Sequence, residues 1–362
     1  MNFSESQYNR YSLVREMFDS LELISSFDFS RTYKISRKIW DVGKLLLTGE
    51  GSSRIFPAKN FLYQLRKSLI SAKLNAVTEG CYQSLEYDLA DWYVIAASNS
   101  GQTGEAVELY KHLQELNHCN NFVVTASENA KLSELAAQTL VLKCGAENAV
   151  AATKSVIEQA LTYLSIFYNL KEIAEDCPKK NQNNCNDNKS KDTKSEELRV
   201  KLEKLSVLGR QVLSVKRDSN LVELIANANT LFVAGRNDGA AEELALKATE
   251  ITRKRSIYLE GTFLLHGIEE IISENDVVIL VEPFMPICKK IQELFVEKHN
   301  ISVISISKFP TPFPTIQIPE LSDYDQFLQL FAGWNLLVEA ALHVGINPDK
   351  PIRARKIGNK FE

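Results

Sequence analysis

Short apolar runs followed by small polar residues and then by segments of helical spacing recur along the whole chain. In the first half these runs are 44–48 (KLLLT), 75–78 (NAVT), 92–97 (WYVIAA), 121–125 (NFVVT) and 139–142 (TLVL). In the second half they are 230–234 (TLFVA), 256–259 (SIYL), 276–282 (DVVILVE), 301–307 (ISVISIS) and 314–319 (PTIQIP). Unbroken apolar runs of this length predict strands buried on both faces, and intervening segments such as 55–69 and 240–253 predict helices. Strands alternating with helices pair in parallel. The pattern therefore predicts an α/β chain with two subdomains, each a five-stranded parallel sheet with helices on both faces, in three layers.

The two halves keep step. Leu45 and Leu231, Tyr93 and Val277, and Phe122 and Ser302 are separated by 186, 184 and 180 residues, and the first strands end in Gly49 and Gly235. Offsets this even predict an internal duplication. Between the halves, 175–197 (EDCPKKNQNNCNDNKSKDTKSEE) is nearly devoid of apolar residues. It cannot bury enough surface to offset the entropy of ordering and is expected to be a flexible linker. The resulting plan is a helical arm (1–43), a first subdomain (44–174), the linker (175–197), a second subdomain (198–345) and a tail (346–362). The arm holds two amphipathic stretches, 11–23 and 32–45, expected to wrap the first subdomain or a partner subunit.

Composition narrows the class. The 362 residues are 44% hydrophobic and 24% charged, so the chain is globular with a large core. A formal net charge of −4 gives no reason to expect nucleic acid as a partner. Six cysteines (Cys81, Cys119, Cys144, Cys177, Cys185, Cys288) lie scattered without a CxxC pair, which argues against a zinc site and fits the reduced thiols of a cytoplasmic protein. The first residues have no signal-peptide pattern, and no apolar run reaches membrane-spanning length. No metal or cofactor is expected.

Chemistry concentrates at the strand ends. The run 92–97 is followed by Ser98-Asn99-Ser100-Gly101-Gln102-Thr103-Gly104, with three hydroxyls and two glycines, and then by a helix. Similar loops are Gly49-Glu50-Gly51-Ser52-Ser53 and 145–154 (GAENAVAATK). In open α/β sheets ligands bind at the carboxyl ends of strands, and a helix N-terminus offers free amides to an anion. Backbone amides and hydroxyls can hold a dianion without a nearby lysine or arginine, so these loops predict a phosphate cradle. Any one of them alone is equally an ordinary capping loop. Neither GEGSSR nor GRNDGA has GxGxxG spacing, which disfavours a dinucleotide site.

Six stretches in order, GEGSS (49–53), SNSGQTGEA (98–106), GAENAVAATKS (145–155), ALKATE (245–250), LLHG (264–267) and DKPIRARK (349–356), resemble the SIS (sugar isomerase) domain family, specifically the tandem-SIS isomerase half of glucosamine-6-phosphate synthase. The resemblance implies that Ser52, Ser53, Ser98, Asn99, Ser100, Thr103 and Ala151 hold the sugar phosphate and its hydroxyls. It implies that Glu250 moves a proton between C1 and C2, that His266 assists ring opening and that Lys356 forms a Schiff base with the open-chain ketose. Glu243 and Lys247 also match. It further implies a homodimer in which His266 enters the neighbouring subunit's site. The glutamine-hydrolysing domain is missing from the sequence, so no use of glutamine is expected. Gln102 and Ile268 stand where the family usually has Glu and Pro.

The chemistry is arguable without the family. Aldose–ketose interconversion needs a base that takes a proton alpha to a carbonyl and returns it to the adjacent carbon, which a carboxylate such as Glu250 can do. Glu243, Lys247 and Glu250 share one helix face at i, i+4 and i+7, a spacing that also describes a solvated charged face. Ring opening needs a proton transfer at the ring oxygen, which a histidine such as His266 can supply, and Lys356 would need a dry pocket to act as a nucleophile. The second half lacks the hydroxyl loop: its counterparts are 235–239 (GRNDG) and 282–286 (EPFMP), so one cradle per chain is expected. The reading is a phosphosugar isomerase acting on a hexose or hexosamine 6-phosphate, with deamination or deglycation left open. The alternative is a sugar-phosphate-binding sensor without catalysis.

Overall fold

The computed structural model describes residues 1–176, 187–356 and 359–360. The ten strands fall where the apolar runs predict them: β1 Lys44–Gly49, β2 Asn75–Glu79, β3 Tyr93–Ala97, β4 Asn121–Thr125, β5 Thr139–Val141, β6 Thr230–Gly235, β7 Arg255–Glu260, β8 Val277–Val281, β9 Ser302–Ser307 and β10 Thr315–Gln317. They form two sheets of five, ordered β2-β1-β3-β4-β5 and β10-β9-β8-β6-β7, and every pairing is parallel. Read from the opposite edge, the second order repeats the first. The register repeats too, since Leu45 pairs with Tyr93 and Leu231 with Val277, the residues that set the sequence offset. Each half is an α/β layer structure, and the duplication is visible in its topology.

The central strands are buried along their length. All five residues of β3, β4 and β8 are inaccessible, as a parallel sheet covered on both faces requires. One side of the first sheet packs Leu45, Leu47, Tyr93, Ile95, Phe122 and Val124 under the helices Tyr33–Val42, Ile55–Arg66 and Lys154–Asp176. The other side packs Leu46, Val94, Ala96 and Val123 against the helix Gly104–Glu115. Each such side chain contributes about 1.5–3 kcal/mol on burial. The Tyr110 hydroxyl, fully buried, donates to Phe122 O (2.5 Å) and accepts from Ala96 N (3.0 Å), so its polar end is paired inside the sheet–helix layer.

The chain divides into two compact units. One contains the first sheet (Glu22–Glu147, Lys154–Ser206 and Ile357–Glu362), the other the second (Met1–Leu21, Asn148–Thr153 and Val207–Lys356). The arm is therefore shared between them. Its longest helix, Ser12–Ser25, buries Leu13, Val14, Met17, Phe18 and Leu21. Asp349 anchors the helix start to the second-repeat unit, accepting from Ser12 N (2.6 Å) and Leu13 N (2.9 Å). Of the segment 175–197, residues 177–186 lie outside the described residues, together with Cys177 and Cys185. From Asp187 the chain is helical, in the long helix Asp187–Ser214. No helix among the described residues is long and apolar enough to cross a membrane.

Candidate functional site

In the first-repeat unit, β1 and β3 are neighbours whose connections leave in opposite directions, and their carboxyl ends meet at the pair Gly49–Ala97. This is the switch point at which open parallel sheets place ligands. The loop after β1 forms a short 3₁₀ turn, Gly51–Ser53, that presents Ser52 and Ser53. Ser53 Oγ accepts from Gln159 Nε2 at 3.4 Å. The loop after β3 is held by its own hydroxyls. Ser98 Oγ lies 2.8 Å from Thr103 Oγ1 and accepts from Gly101 N (3.1 Å), and Ser100 Oγ accepts from Gln102 N (3.2 Å). Gly101 has φ +61°, and a Cβ there would come within 2.4 Å of Ala130 Cβ, so only glycine closes this turn.

Asn99 is positioned from below. Its Nδ2 donates to Glu147 Oε2 (3.4 Å), and Glu147 also accepts from Ser155 N (3.2 Å) and Ser155 Oγ (2.6 Å). The buried Cys144 thiol, raised above its ordinary range by desolvation, faces Asn99 Oδ1 at 3.7 Å. Glu158 accepts from Lys143 N and Cys144 N (2.8 and 2.6 Å) and pairs with Arg31 at 3.4 Å, fixing the chain that leaves β5. The sequence pointed to the stretch 145–155 but not to Glu147. Its signal was an acidic residue among small ones at the end of a strand.

The tail meets the same loop. Gly104 N, at the start of the helix Gly104–Glu115, donates to Asn359 O at 2.9 Å, and Thr103 forms an antiparallel bridge with Lys360. Thr103 makes no side-chain cap bond, because its hydroxyl faces Ser98. No sequence pattern announced this pairing.

In the second-repeat unit, the helix Ala240–Thr252 carries the predicted charged face, and the structure decides between its two readings. Glu243 and Lys247 are completely buried, while Glu250 keeps 23% of its side-chain surface exposed. Lys247 Nζ lies 3.1 Å from Glu243 Oε1 and 2.5 Å from Glu250 Oε2. Burial alone would lower the ammonium's pKa. The two carboxylates outweigh it and hold the group well above its ordinary value. The solvated-face reading is thereby excluded.

The remaining candidates sit in the same unit. His266 is exposed, ending the 3₁₀ turn Phe263–Leu265 beyond β7, with its N–H donating to Phe263 O at 3.0 Å. Lys356 is exposed, and its Nζ donates to Ala149 O at 2.6 Å. Ala151 is buried. Glu16 holds the adjacent segment, accepting from Asn148 N (2.5 Å) and Ala149 N (3.4 Å). The counterpart of the first hydroxyl loop, 235–239, is filled by Asp238. This carboxylate is buried, accepts from Ala240 N (3.1 Å) and Gln326 Nε2 (3.4 Å), and is pushed up to about 6 by desolvation. Among the described residues no group of three or more His, Cys, Asp or Glu is arranged to hold a metal ion.

No protein-family model matches the chain. Among curated proteins it is similar to the isomerising glutamine–fructose-6-phosphate aminotransferase of Methanococcus maripaludis, 26% identical over 267 residues, which are 71% of this chain and 41% of that protein. The match thus spans about two-fifths of the relative. Among solved structures it is similar to the C-terminal domain of glucosamine–fructose-6-phosphate aminotransferase from Francisella tularensis (TM-score 0.75, 16% identity, covering 94% of this chain and 98% of that one). It is also similar to glucosamine-6-phosphate deaminase from Thermotoga maritima (TM-score 0.67, 18% identity, covering 95% and 98%). The chain thus shares its fold of two repeated parallel sheets with these solved structures, and its sequence is similar to the curated aminotransferase over part of that protein's length.

Proposed function

We propose that the protein is a phosphosugar isomerase-type enzyme acting at C1 and C2 of a hexose or hexosamine 6-phosphate. The observation that carries the reading is the triad Glu243–Lys247–Glu250, with Glu243 and Lys247 buried and Glu250 partly exposed. Burying two charges, Glu243 and Lys247, in a helix core is costly, and apolar residues would stabilise that position as well or better, so a role for the exposed end of the triad is the economical explanation. Glu250 is the member that reaches solvent, and Lys247 fixes the orientation of its carboxylate. In this reading the phosphate is held by the amides and hydroxyls of Ser52, Ser53, Ser98, Asn99, Ser100 and Thr103, with Ala151 contributing to substrate binding.

The reaction balances with one base for the C–H proton and a water molecule that gives a proton to the C2 oxygen and takes back the one that leaves the C1 hydroxyl. Glu250 takes a proton from C1 of the open-chain ketose as the C2 carbonyl oxygen gains one, giving an enediol. The proton on Glu250 then returns to C2 while the C1 hydroxyl loses its proton, leaving an aldehyde at C1. His266 assists ring opening from the neighbouring subunit of a homodimer, and Lys356, once it leaves Ala149 O, condenses with the C2 carbonyl of the open-chain ketose to a Schiff base with loss of water, a state that water hydrolyses back to the free ketose before the enediol step. Deamination of an amino sugar phosphate is a variant of the same C1/C2 chemistry. A second reading, a sensor that binds sugar phosphate without turning it over, is favoured by the exposure of both His266 and Lys356 in the single chain.

The test is a thermal-shift and turnover series with fructose 6-phosphate, glucosamine 6-phosphate and the free sugars. A phosphorylated sugar is expected to raise the melting midpoint in a concentration-dependent way. Ser100→Ala is expected to weaken that binding about tenfold, the scale of one hydrogen bond to a charged group. Glu250→Gln is expected to keep binding and lose turnover by at least about a hundredfold. Binding without any isomerisation or deamination selects the sensor, and absence of any phosphosugar binding overturns both readings.

A further inference from the structure

The cradle loop Ser98–Gly104 contains no charged side chain, and the loop before it, Gly49–Ser53, contributes only Glu50, whose carboxylate accepts from Cys81 N at 2.8 Å. A phosphate dianion there would be met by dipoles alone. The tail changes this. The bond from Gly104 N to Asn359 O flanks the Thr103–Lys360 pair. In an antiparallel ladder that arrangement marks the pair without mutual hydrogen bonds, whose side chains leave on the same face and lie closest together. Thr103's side chain is directed at Ser98 Oγ, 2.8 Å away, so its face is the cradle face. The approach is close: a Cβ at Gly104 would lie 3.4 Å from Asn359 Nδ2.

We propose that Lys360 is a phosphate-binding residue of this cradle: the tail pairs with the loop edge and delivers one ammonium to the dianion of the sugar phosphate. Lys360 is exposed, and its flexible four-carbon stem lets the head group move onto an arriving anion. The carbonyl of Asn359 meanwhile serves as acceptor for a helix-terminal amide, which fixes the tail's backbone independently of the lysine's charge. The proposal rests on the phosphosugar reading of the loop and adds to it a discrimination between phosphorylated and neutral sugars.

The test is calorimetric titration of the full chain with fructose 6-phosphate, inorganic phosphate and free fructose. The variants are Lys360→Ala, Lys360→Glu, Lys360→Arg, Ser100→Ala and Arg54→Ala, the last because Arg54 is the cation next to the first loop in sequence. Lys360→Ala is expected to weaken fructose 6-phosphate and inorganic phosphate about tenfold, Lys360→Glu more, and Lys360→Arg no more than about threefold. The wild-type affinity is expected to fall with added salt more steeply than that of Lys360→Ala. Phosphosugar binding that is lost in Ser100→Ala or Arg54→Ala but equal to wild type in Lys360→Ala and Lys360→Glu overturns this inference and leaves the cradle reading intact. Absence of binding of any phosphate compound to the wild-type chain overturns the cradle reading itself.

Discussion

The two repeats share one topology and put it to opposite uses. In the first, the carboxyl edge of the sheet ends in loops of serine, threonine and glycine whose polar groups bond among themselves, with Ser98 buried and Ser100 and Thr103 partly exposed. In the second, the corresponding first loop turns a carboxylate inward: Asp238 is buried beneath the helix start that it caps. The helices that follow the first strands diverge in the same sense. Ile55–Arg66 buries Phe56, Ala58, Phe61, Leu62 and Leu65, whereas Ala240–Thr252 buries Glu243 and Lys247 beside Leu244, Ala248 and Ile251. A duplicated scaffold therefore constrains strand order and register but not the chemistry of its edge. One copy is suited to holding an anion, and the other carries internal charge with a single carboxylate, Glu250, brought toward solvent.

The strongest test of this division is Lys247→Met. If the second helix, like the first, buried no ionised group, the substitution would be nearly neutral. With Glu243 buried and deprived of its ammonium, we expect a loss of about 3–5 kcal/mol in a urea titration. A loss below about 1 kcal/mol would place the two helices in the same class.

Asp238 gives a pH signature that the loop Ser98–Gly104, which has no ionisable side chain, cannot produce. Its carboxyl titrates near 3.8 unfolded and about 6 folded. Between those values the folded chain binds more protons than the unfolded one, so stability falls as pH rises through that window, by roughly 3 kcal/mol in total. Asp238→Asn should flatten this slope in melts recorded from pH 4 to 7. An unchanged slope would assign the titration elsewhere.

The smallest contrast compares two glycines with the same φ of +61°. At Gly261 an added Cβ meets open space, so Gly261→Ala should cost only the strain of the left-handed conformation, about 1 kcal/mol. At Gly101 the Cβ also collides with Ala130 and Thr125, and Gly101→Ala should cost about 1–2 kcal/mol more. Equal losses would mean that the cradle turn yields as easily as the open one.

Much of this was legible in the chain. The strands were readable because a strand buried on both faces must be apolar along its whole length, and the ten runs match the ten strands closely. The turn after β3 was readable because its glycines and hydroxyls follow the strand directly and satisfy one another locally, as the Ser98–Thr103 and Ser100–Gln102 bonds show. The fate of the charged helix face was not readable, since i, i+4, i+7 spacing is the same whether the face meets water or core. Nor was the division of the arm, whose longest helix is held at its start by Asp349 from more than three hundred residues away.

What the sequence determined by itself is therefore the local and the periodic: strands, helices, their duplication, and loops whose polar groups are satisfied within a few residues. What only the tertiary structure decided is which polar groups leave water and which distant segments meet. Glu147 beneath Asn99, Lys247 between two carboxylates, Asp238 in the vacated loop and the tail paired with Thr103 all depend on contacts between residues far apart in the chain or on the depth of a helix face. Burial and long-range pairing reflect how layers pack around a core, and no window of neighbouring residues carries that information.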